Sequence, residues 1–335
     1  MTFEKLTFAI VGCGRIGNRH AGHIKKIGHL LSVCDPIIGR CQEIITDSLR
    51  CFTSLDELFE SGSKPDVVSV CSPNGLHAEH SIKALRSGCH VLCEKPMALS
   101  SKDCLEMIRE ANLAKKRLFI VKQNRFNPPI AAVKMAIDND RLGKIFSVQL
   151  NCFWNRNEKY YKDDFWRGTK LLDGGTLFTQ YSHFIDLVCW LFGDVEQVRG
   201  FSDNYDKRRI IEFEDTGVAV LRFKSGTIGT IHHTINAFQT NMEGSITIFS
   251  ENATIKIGGQ YLNIIEYQKI RGPEITHEIG NNANQYGHYQ GSMSNHGDVY
   301  KNVVECLTNK GEIAVSAQEG LTTVETIEKI YDAYK

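Results

Sequence analysis

Leu6-Thr7-Phe8-Ala9-Ile10-Val11-Gly12-Cys13-Gly14-Arg15-Ile16-Gly17 runs an apolar strand straight into a turn of the form G-x-G-x-x-G. The first glycine permits a tight turn, the second lets the backbone approach a pyrophosphate, and the third lets the following helix pack against the strand. The pyrophosphate then sits on the positive, unpaired N–H end of that helix. Gly12, Cys13, Gly14, Arg15 and Ile16 are therefore candidate dinucleotide-binding residues, with Gly17 holding the helix close.

Glycine-rich turns occur in many proteins, so the next strand is the check. His29-Leu30-Leu31-Ser32-Val33-Cys34 is mostly apolar and stops at Asp35, 18 residues after Gly17. That is close to the roughly 20-residue spacing of the acid that binds the ribose hydroxyls. A carboxylate there repels a 2′-phosphate, so the cofactor expected is NAD; nearby Arg40 is the residue that argues for NADP.

The whole chain has 335 residues, 42% hydrophobic and 23% charged, with 39 basic side chains balancing 39 acidic ones. That length predicts about two domains. The zero balance gives no general attraction to nucleic acid or an anionic membrane. No basic segment and apolar core with a small-residue cleavage site precedes the first strand, so a secretory signal is not expected. No apolar run approaches the roughly 20 residues of a membrane span. Eleven cysteines are scattered without a C-x-x-C pair or a zinc-like pattern. Buried, reduced thiols in a cytoplasmic protein are the reading, and neither H-E-x-x-H nor another ligand spacing points to a metal.

From Thr7 to about Val121 strands and helices alternate. Ser54 opens a helix to Ser61, with Glu57 completing a capping box. Asp66–Cys71 is a buried strand, His77–Ser87 a helix, His90–Cys93 a strand, Ser101–Lys115 a helix and Leu118–Val121 a strand. Repeated β-α units imply a parallel, doubly wound sheet with ligands at the carboxyl ends of its strands. Beyond it, Ile145–Phe153, Val218–Phe223, Thr227–Ile235, Ser245–Phe249, Ala253–Ile257 and Leu262–Tyr267 are β-branched and aromatic runs separated by polar turns. Lys224-Ser225-Gly226 reads as a hairpin turn. The expected fold is α/β plus α+β: a dinucleotide domain over residues 1–121, then an open, mainly antiparallel sheet domain over 122–335. Two last helices, about Gly297–Thr308 and Ala317–Ala333, are expected to return to the first domain.

Five motifs carry a family resemblance: the Gly12/Gly14/Gly17 turn, Ser72-Pro73-Asn74 with His77, Glu94-Lys95-Pro96, Gly174-Gly175, and His183-Phe184-Ile185-Asp186. Together the chain resembles the glucose–fructose oxidoreductase and inositol dehydrogenase superfamily, Gfo/Idh/MocA, over nearly its whole length. The resemblance implies a Rossmann domain followed by an open sheet that covers the nicotinamide and mediates assembly, as a homodimer or homotetramer. It places Ser72, Asn74, His77, Glu94, Lys95 and Gln123 at the cofactor. Lys122-Gln123-Asn124-Arg125-Phe126-Asn127-Pro128, the aromatic Trp154–Trp166 segment and Trp166-Arg167-Gly168-Thr169 are similar to UDP-N-acetylglucosaminuronate 3-dehydrogenases, which serve diamino-sugar and surface-polysaccharide synthesis.

Hydride transfer from a secondary alcohol needs a base for the hydroxyl proton and a cation or donor for the developing alkoxide. Lys95, after a strand at the ligand edge, and His183, able to exchange a proton near neutral pH, divide that work. The plain alternatives are a surface lysine and a packed core histidine. Asp186, three residues on, either orients the imidazole or caps a neighbouring element. Many members of the family carry Asp four residues before this histidine; here the residue is Thr179, which cannot be a carboxylate base. The choice of base between His183 and Lys95 therefore stays open, and inositol becomes the less favoured substrate.

A nucleotide-sugar acid needs cationic forks, amides and an aromatic plane for uracil. Arg125, Arg156 and Arg167, then Gln123, Asn124 and Asn155, then Tyr160, Tyr161 and Trp166 supply these; the plain alternative is an ordinary polar loop. Gln285-Tyr286-Gly287-His288-Tyr289 and Ser294-Asn295-His296 are either a cover for the sugar or simple surface. Of His232 and His233, in a strand, only one can face a given side. The reading is an NAD-dependent oxidation of C3 of UDP-N-acetylglucosaminuronic acid. Its competitors are a dehydrogenase or reductase of a free sugar or cyclic polyol, and a cofactor-sensing regulator on the same scaffold.

Overall fold

The computed structural model describes residues 6–45, 49–285 and 290–335. The chain divides into two compact units, one of Met1–Val121 with His296–Val324 and one of Lys122–Asn295 with Glu325–Lys335.

In the first unit β1 (Thr7–Val11), β2 (His29–Cys34), β3 (Arg50–Phe52), β4 (Val67–Val70), β5 (His90–Cys93) and β6 (Leu118–Ile120) form one sheet in the order β3-β2-β1-β4-β5-β6. Every pairing is parallel. Crossovers run through α1 (Arg15–Ile27), α2 (Ile38–Cys41), α3 (Leu55–Glu60), α4 (His77–Arg86) and α5 (Ser101–Ala114). Helices on both faces explain why β4 is buried at all four positions. The order reverses between β1 and β4, and ligands of such sheets bind beyond the strand ends at that switch point.

Local chemistry sets the element ends. Ser54 caps α3 by accepting the Glu57 N–H at 3.2 Å, while the Glu57 carboxylate reaches back to the Thr53 N–H at 2.9 Å, one residue earlier than a standard capping box. One expectation is corrected here. Cys41 and Cys51 form a disulfide, so not all cysteines are reduced. The crossover brings α2 back beside β3 with the two Cα atoms 6.2 Å apart, within the usual range for a bridge, and ten residues of separation gave no spacing signal. The other nine cysteines are free, eight of them buried.

In the second unit α6 (Pro128–Asp138) starts with proline at its first turn. It is followed by β7 (Ile145–Phe153), α7 (Glu158–Lys162), α8 (Thr176–Thr179), α9 (Ser182–Phe192), β8 (Val195–Asp203), β9 (Thr216–Phe223), β10 (Ile228–Thr234), β11 (Glu243–Ser250), β12 (Ala253–Gly258) and β13 (Ile264–Ile270). The seven strands order as β13-β12-β11-β7-β10-β9-β8; only the β7–β10 pairing is parallel. β9 alternates buried and exposed positions along its length, as a sheet with one covered face requires. On β10 His233 is buried and His232 exposed, as strand alternation demands. A small hairpin of β14 (Ala283–Gln285) and β15 (Gln290–Met293) follows. Then come α10 (His296–Leu307), within the first unit, and α11 (Ala317–Ala333). No helix among the described residues is long and apolar enough to cross a membrane.

Between Gly175 and Gly193 the chain forms two helices, α8 and α9, not one. Tyr181 sits at the break with its hydroxyl donating to the Thr234 carbonyl at 2.6 Å, and the Gln180 side chain is drawn to Arg156 and Tyr160. β8 was not expected at all, because Glu196, Gln197 and Arg199 break its apolar run with water-facing charge and amide.

Candidate active site

Backbone geometry explains the glycine turn of the first unit. Gly12 has φ +91°, and a Cβ there would lie 2.5 Å from the Cys71 carbonyl oxygen at the end of β4. A Cβ on Gly17 would lie 2.0 Å from the Gly12 carbonyl oxygen. Gly14 differs: nothing stands within 4 Å of where its Cβ would be, so its backbone is open to a close ligand. It is the N-cap of α1 and, as glycine, brings no side chain to cap the first turn. The Asp35 carboxylate accepts the Cys13 and Ile37 N–H groups, both at 2.9 Å. Each of its oxygens keeps a second lone pair for a sugar hydroxyl. Burial, then the Asp35 charge, pushes the Cys13 thiol up to about 12, which makes it packing rather than a nucleophile. Glycine cradle, open helix end and carboxylate fit a dinucleotide.

At the ends of β4 and β5 the side chains tie two loops together. His77 places Nδ1 2.6 Å from the Pro96 carbonyl and Nε2 2.9 Å from the Ser72 carbonyl. Burial drives its pKa down while both carbonyls oppose that. Asn74 is buried on the short turn before α4. Lys95 follows β5, and its N–H donates to Glu94 Oε2 at 3.0 Å. Glu94, expected at the cofactor, has its carboxylate committed inward: Oε1 lies 2.9 Å from His20 Nε2 and 3.3 Å from His296 Nε2. Burial alone would raise that carboxyl, but the two histidines hold it well below the usual range.

In the second unit Gln123, on the turn Gln123–Phe126, brings its amide nitrogen to 3.0 Å from Nε2 of His183 on α9. With the amide in this orientation Gln123 donates and Nε2 accepts, the form in which a histidine can take a proton. Arg125, expected as a substrate fork, is instead a bidentate partner of Asp186, at 2.9 and 2.7 Å, with its guanidinium over Trp190. Lys122 stands 3.6 Å from the same carboxylate. Burial opposes ionisation of Asp186, yet Lys122 and Arg125 bring it down to about 2. Through Arg125, Asp186 holds the turn that carries Gln123.

The remaining candidates share one aromatic and guanidinium cluster. Arg156 donates to Gln180 and to the Asn155 carbonyl, each at 2.6 Å, and lies over the rings of Trp154 and Tyr160. Asn155 donates to the Ala237 carbonyl at 2.6 Å. The Tyr160 hydroxyl accepts from Gln180 at 2.8 Å, and the Arg167 guanidinium is 4.2 Å from the Tyr160 ring centre and 5.7 Å from that of Trp166. Tyr161 is buried edge-on against Tyr160. The Thr179 hydroxyl donates to the Asp173 carboxylate, so a carboxylate does stand beside position 179. Tyr286, Gly287, His288 and Tyr289 lie outside the described residues.

Residues 6–122 match the family model of the GFO/IDH/MocA oxidoreductases with an NAD-binding Rossmann fold, and residues 134–335 match the C-terminal alpha/beta domain of that family. The chain belongs to this oxidoreductase family. Its fold is similar to that of the WlbA dehydrogenase from Bordetella pertussis, solved with NADH and UDP-GlcNAcA: 35% identity, TM-score 0.88, covering 98% of this chain and 96% of that one. The Chromobacterium violaceum WlbA dehydrogenase, solved with the same two ligands, is 34% identical with a TM-score of 0.91, covering 100% and 95%. The D-glucoside 3-dehydrogenase of Escherichia coli is 34% identical over 150 residues, 44% of this chain and 43% of that protein.

Sequence reasoning missed His20, Lys122, Asp173 and Tyr300. His20 had a readable signal: it falls on the buried stripe of α1 with Gly17, Ala21 and Ile24, where an apolar residue would be ordinary. The others are visible only once the chain is folded.

Proposed function

We propose that the protein oxidises the C3 hydroxyl of UDP-N-acetylglucosaminuronic acid to a ketone with NAD. One observation carries this reading: similarity across both units, at 34–35% identity, to two dehydrogenases solved with UDP-GlcNAcA. When bound, the nicotinamide supplies the hydride acceptor. The oxidation removes a hydride from carbon and a proton from oxygen, leaving the 3-keto sugar, reduced cofactor and one proton. Lys95 is assigned to the C3 oxygen, as the cation that stabilises developing alkoxide. His183 is assigned to the proton, on a ring whose Nε2 stands 3.0 Å from the Gln123 amide nitrogen. Gly12, Gly14, Asp35, Ser72, Asn74 and His77 are assigned to the cofactor. Arg167, Trp166 and Tyr160 are the best remaining candidates for the anionic nucleotide portion, with Arg156 and Asn155 bracing them from behind.

A second reading is supported by the D-glucoside 3-dehydrogenase similarity: oxidation of a sugar carrying no nucleotide. Nicotinamide absorbance separates the two. The purified protein with NAD is offered UDP-N-acetylglucosaminuronate, UDP-N-acetylglucosamine and myo-inositol in parallel, with free UDP as inhibitor. Reduction with the uronate and competitive inhibition by UDP are the expected results. Reduction with inositol alone, indifferent to UDP, would replace the nucleotide-sugar reading by the second one.

A further inference from the structure

We propose that His20, His296 and Tyr300 are positioning residues for Lys95, acting through Glu94. The inference rests on the catalytic reading of Lys95. All the groups involved belong to the first unit, and His20, Tyr300 and Ser69 are completely buried, with His296 and Glu94 nearly so. A carboxylate can only accept. Glu94 accepts the Lys95 N–H on one oxygen and the two imidazoles on the other. With Nε2 of His20 donating to Glu94, its Nδ1 is the acceptor for the Tyr300 hydroxyl 2.8 Å away. The Tyr300 oxygen then accepts from the Ser69 hydroxyl at 2.9 Å. The donors thereby run one way from the middle of β4 through α10 and α1 to the Glu94 carboxylate, which the Lys95 N–H meets from the other side. The helix that opens with the glycine turn is fastened to the loop that carries the lysine. An error of about 1 Å in such a group can lower a rate about a hundredfold.

His20, Glu94 and His296 also present donor atoms all within 4.8 Å of one another, a set a divalent cation could use. The His20–Glu94 separation of 2.9 Å is that of a hydrogen bond. Two ligands of a tetrahedral zinc, each about 2.0–2.1 Å from the metal, stand about 3.3 Å apart, a separation that His296 and Glu94 show and His20 and Glu94 do not.

Three variants test the network: His20→Phe, which keeps ring volume but removes the donor; His20→Gln, which restores a donor with less volume; and Tyr300→Phe. Two readouts are taken, steady-state kinetics and hydrogen exchange of the segment holding the Lys95 amide. In His20→Phe we expect kcat to fall about tenfold to a hundredfold with KM for NAD within about twofold, and the Lys95 amide to exchange about tenfold faster. Tyr300→Phe should show a smaller change in the same direction, and His20→Gln should recover most of the loss. If packing alone matters, Phe is benign and Gln is the damaging change, which overturns the proposal. So do unchanged exchange in His20→Phe, or one equivalent of zinc in the wild type that His20→Phe loses. Lys95→Ala is the control: if it turns over normally, the catalytic reading of Lys95 falls, while faster exchange in His20→Phe still supports the network.

Discussion

Glu214 is a carboxylic acid kept from water just before β9, with the Tyr331 hydroxyl donating to it at 2.9 Å. Burial pushes its pKa up from 4.5 to about 8. The sign follows from linkage. A carboxyl whose folded pKa lies above its unfolded value favours the fold fully below about pH 4.5, and that contribution is lost as pH rises through about 8. A shift of that size corresponds to a few kcal/mol. Glu214→Gln keeps an uncharged acceptor for Tyr331, so urea unfolding at pH 5 and pH 9 should find the variant losing less stability with pH than the wild type; equal pH slopes would place the effect elsewhere. Residues like this mark the limit of sequence reading. Lys95 and His183 could be singled out as candidates because each ends or follows a recognisable motif. Glu214, Asp173 and Lys122 were not, since their character comes from partners 117, 6 and 64 positions away in sequence. Arg125 shows the converse: its residue type suggested a ligand fork, and a carboxylate on α9 uses that fork internally.

At the scale of elements, α9 carries His183 and is buried on nearly every side. Its Phe184 meets Trp154 edge-on, and its approach to the sheet depends on Gly244 in β11. A Cβ at Gly244 would stand 2.8 Å from both the Phe184 ring and the Gln260 carbonyl oxygen. Relieving both contacts means moving the strand off the Gln260 backbone and the Phe184 ring, with its helix, off the strand. Gly244→Ala is expected to destabilise by about 1–3 kcal/mol, the range for overpacking. It should also lower kcat by shifting His183 away from Gln123, read from urea midpoints and turnover on the same samples. Wild-type values for both would mean that the strand yields and the helix does not. Elements with strong internal pattern, such as β7, β9 and α11, were legible in the sequence. β3 and β8 were hidden because the one has three residues and the other alternates its apolar positions with charge. The α8/α9 break was hidden because it is set by the Tyr181 hydroxyl and the Gln180 amide, not by a glycine or proline.

For the whole molecule, the fold class was legible from the alternation of short buried strands with helices, followed by a run of β-rich segments. The parallel six-stranded sheet and the mixed seven-stranded sheet are the outcome of those two patterns. Family membership joins both halves of the chain to NAD-binding oxidoreductases, and the sugar proposed for it rests on similarity to two dehydrogenases solved with UDP-GlcNAcA. The central claim is that a hydride leaves C3 of the nucleotide sugar. The most direct measurement is to supply UDP-N-acetylglucosaminuronate carrying deuterium at C3, with NAD, and to weigh the cofactor and the sugar by mass spectrometry after turnover. The account predicts reduced cofactor heavier by one deuteron and a sugar product that has lost the label. Unlabelled reduced cofactor, with deuterium retained on the sugar, would contradict it.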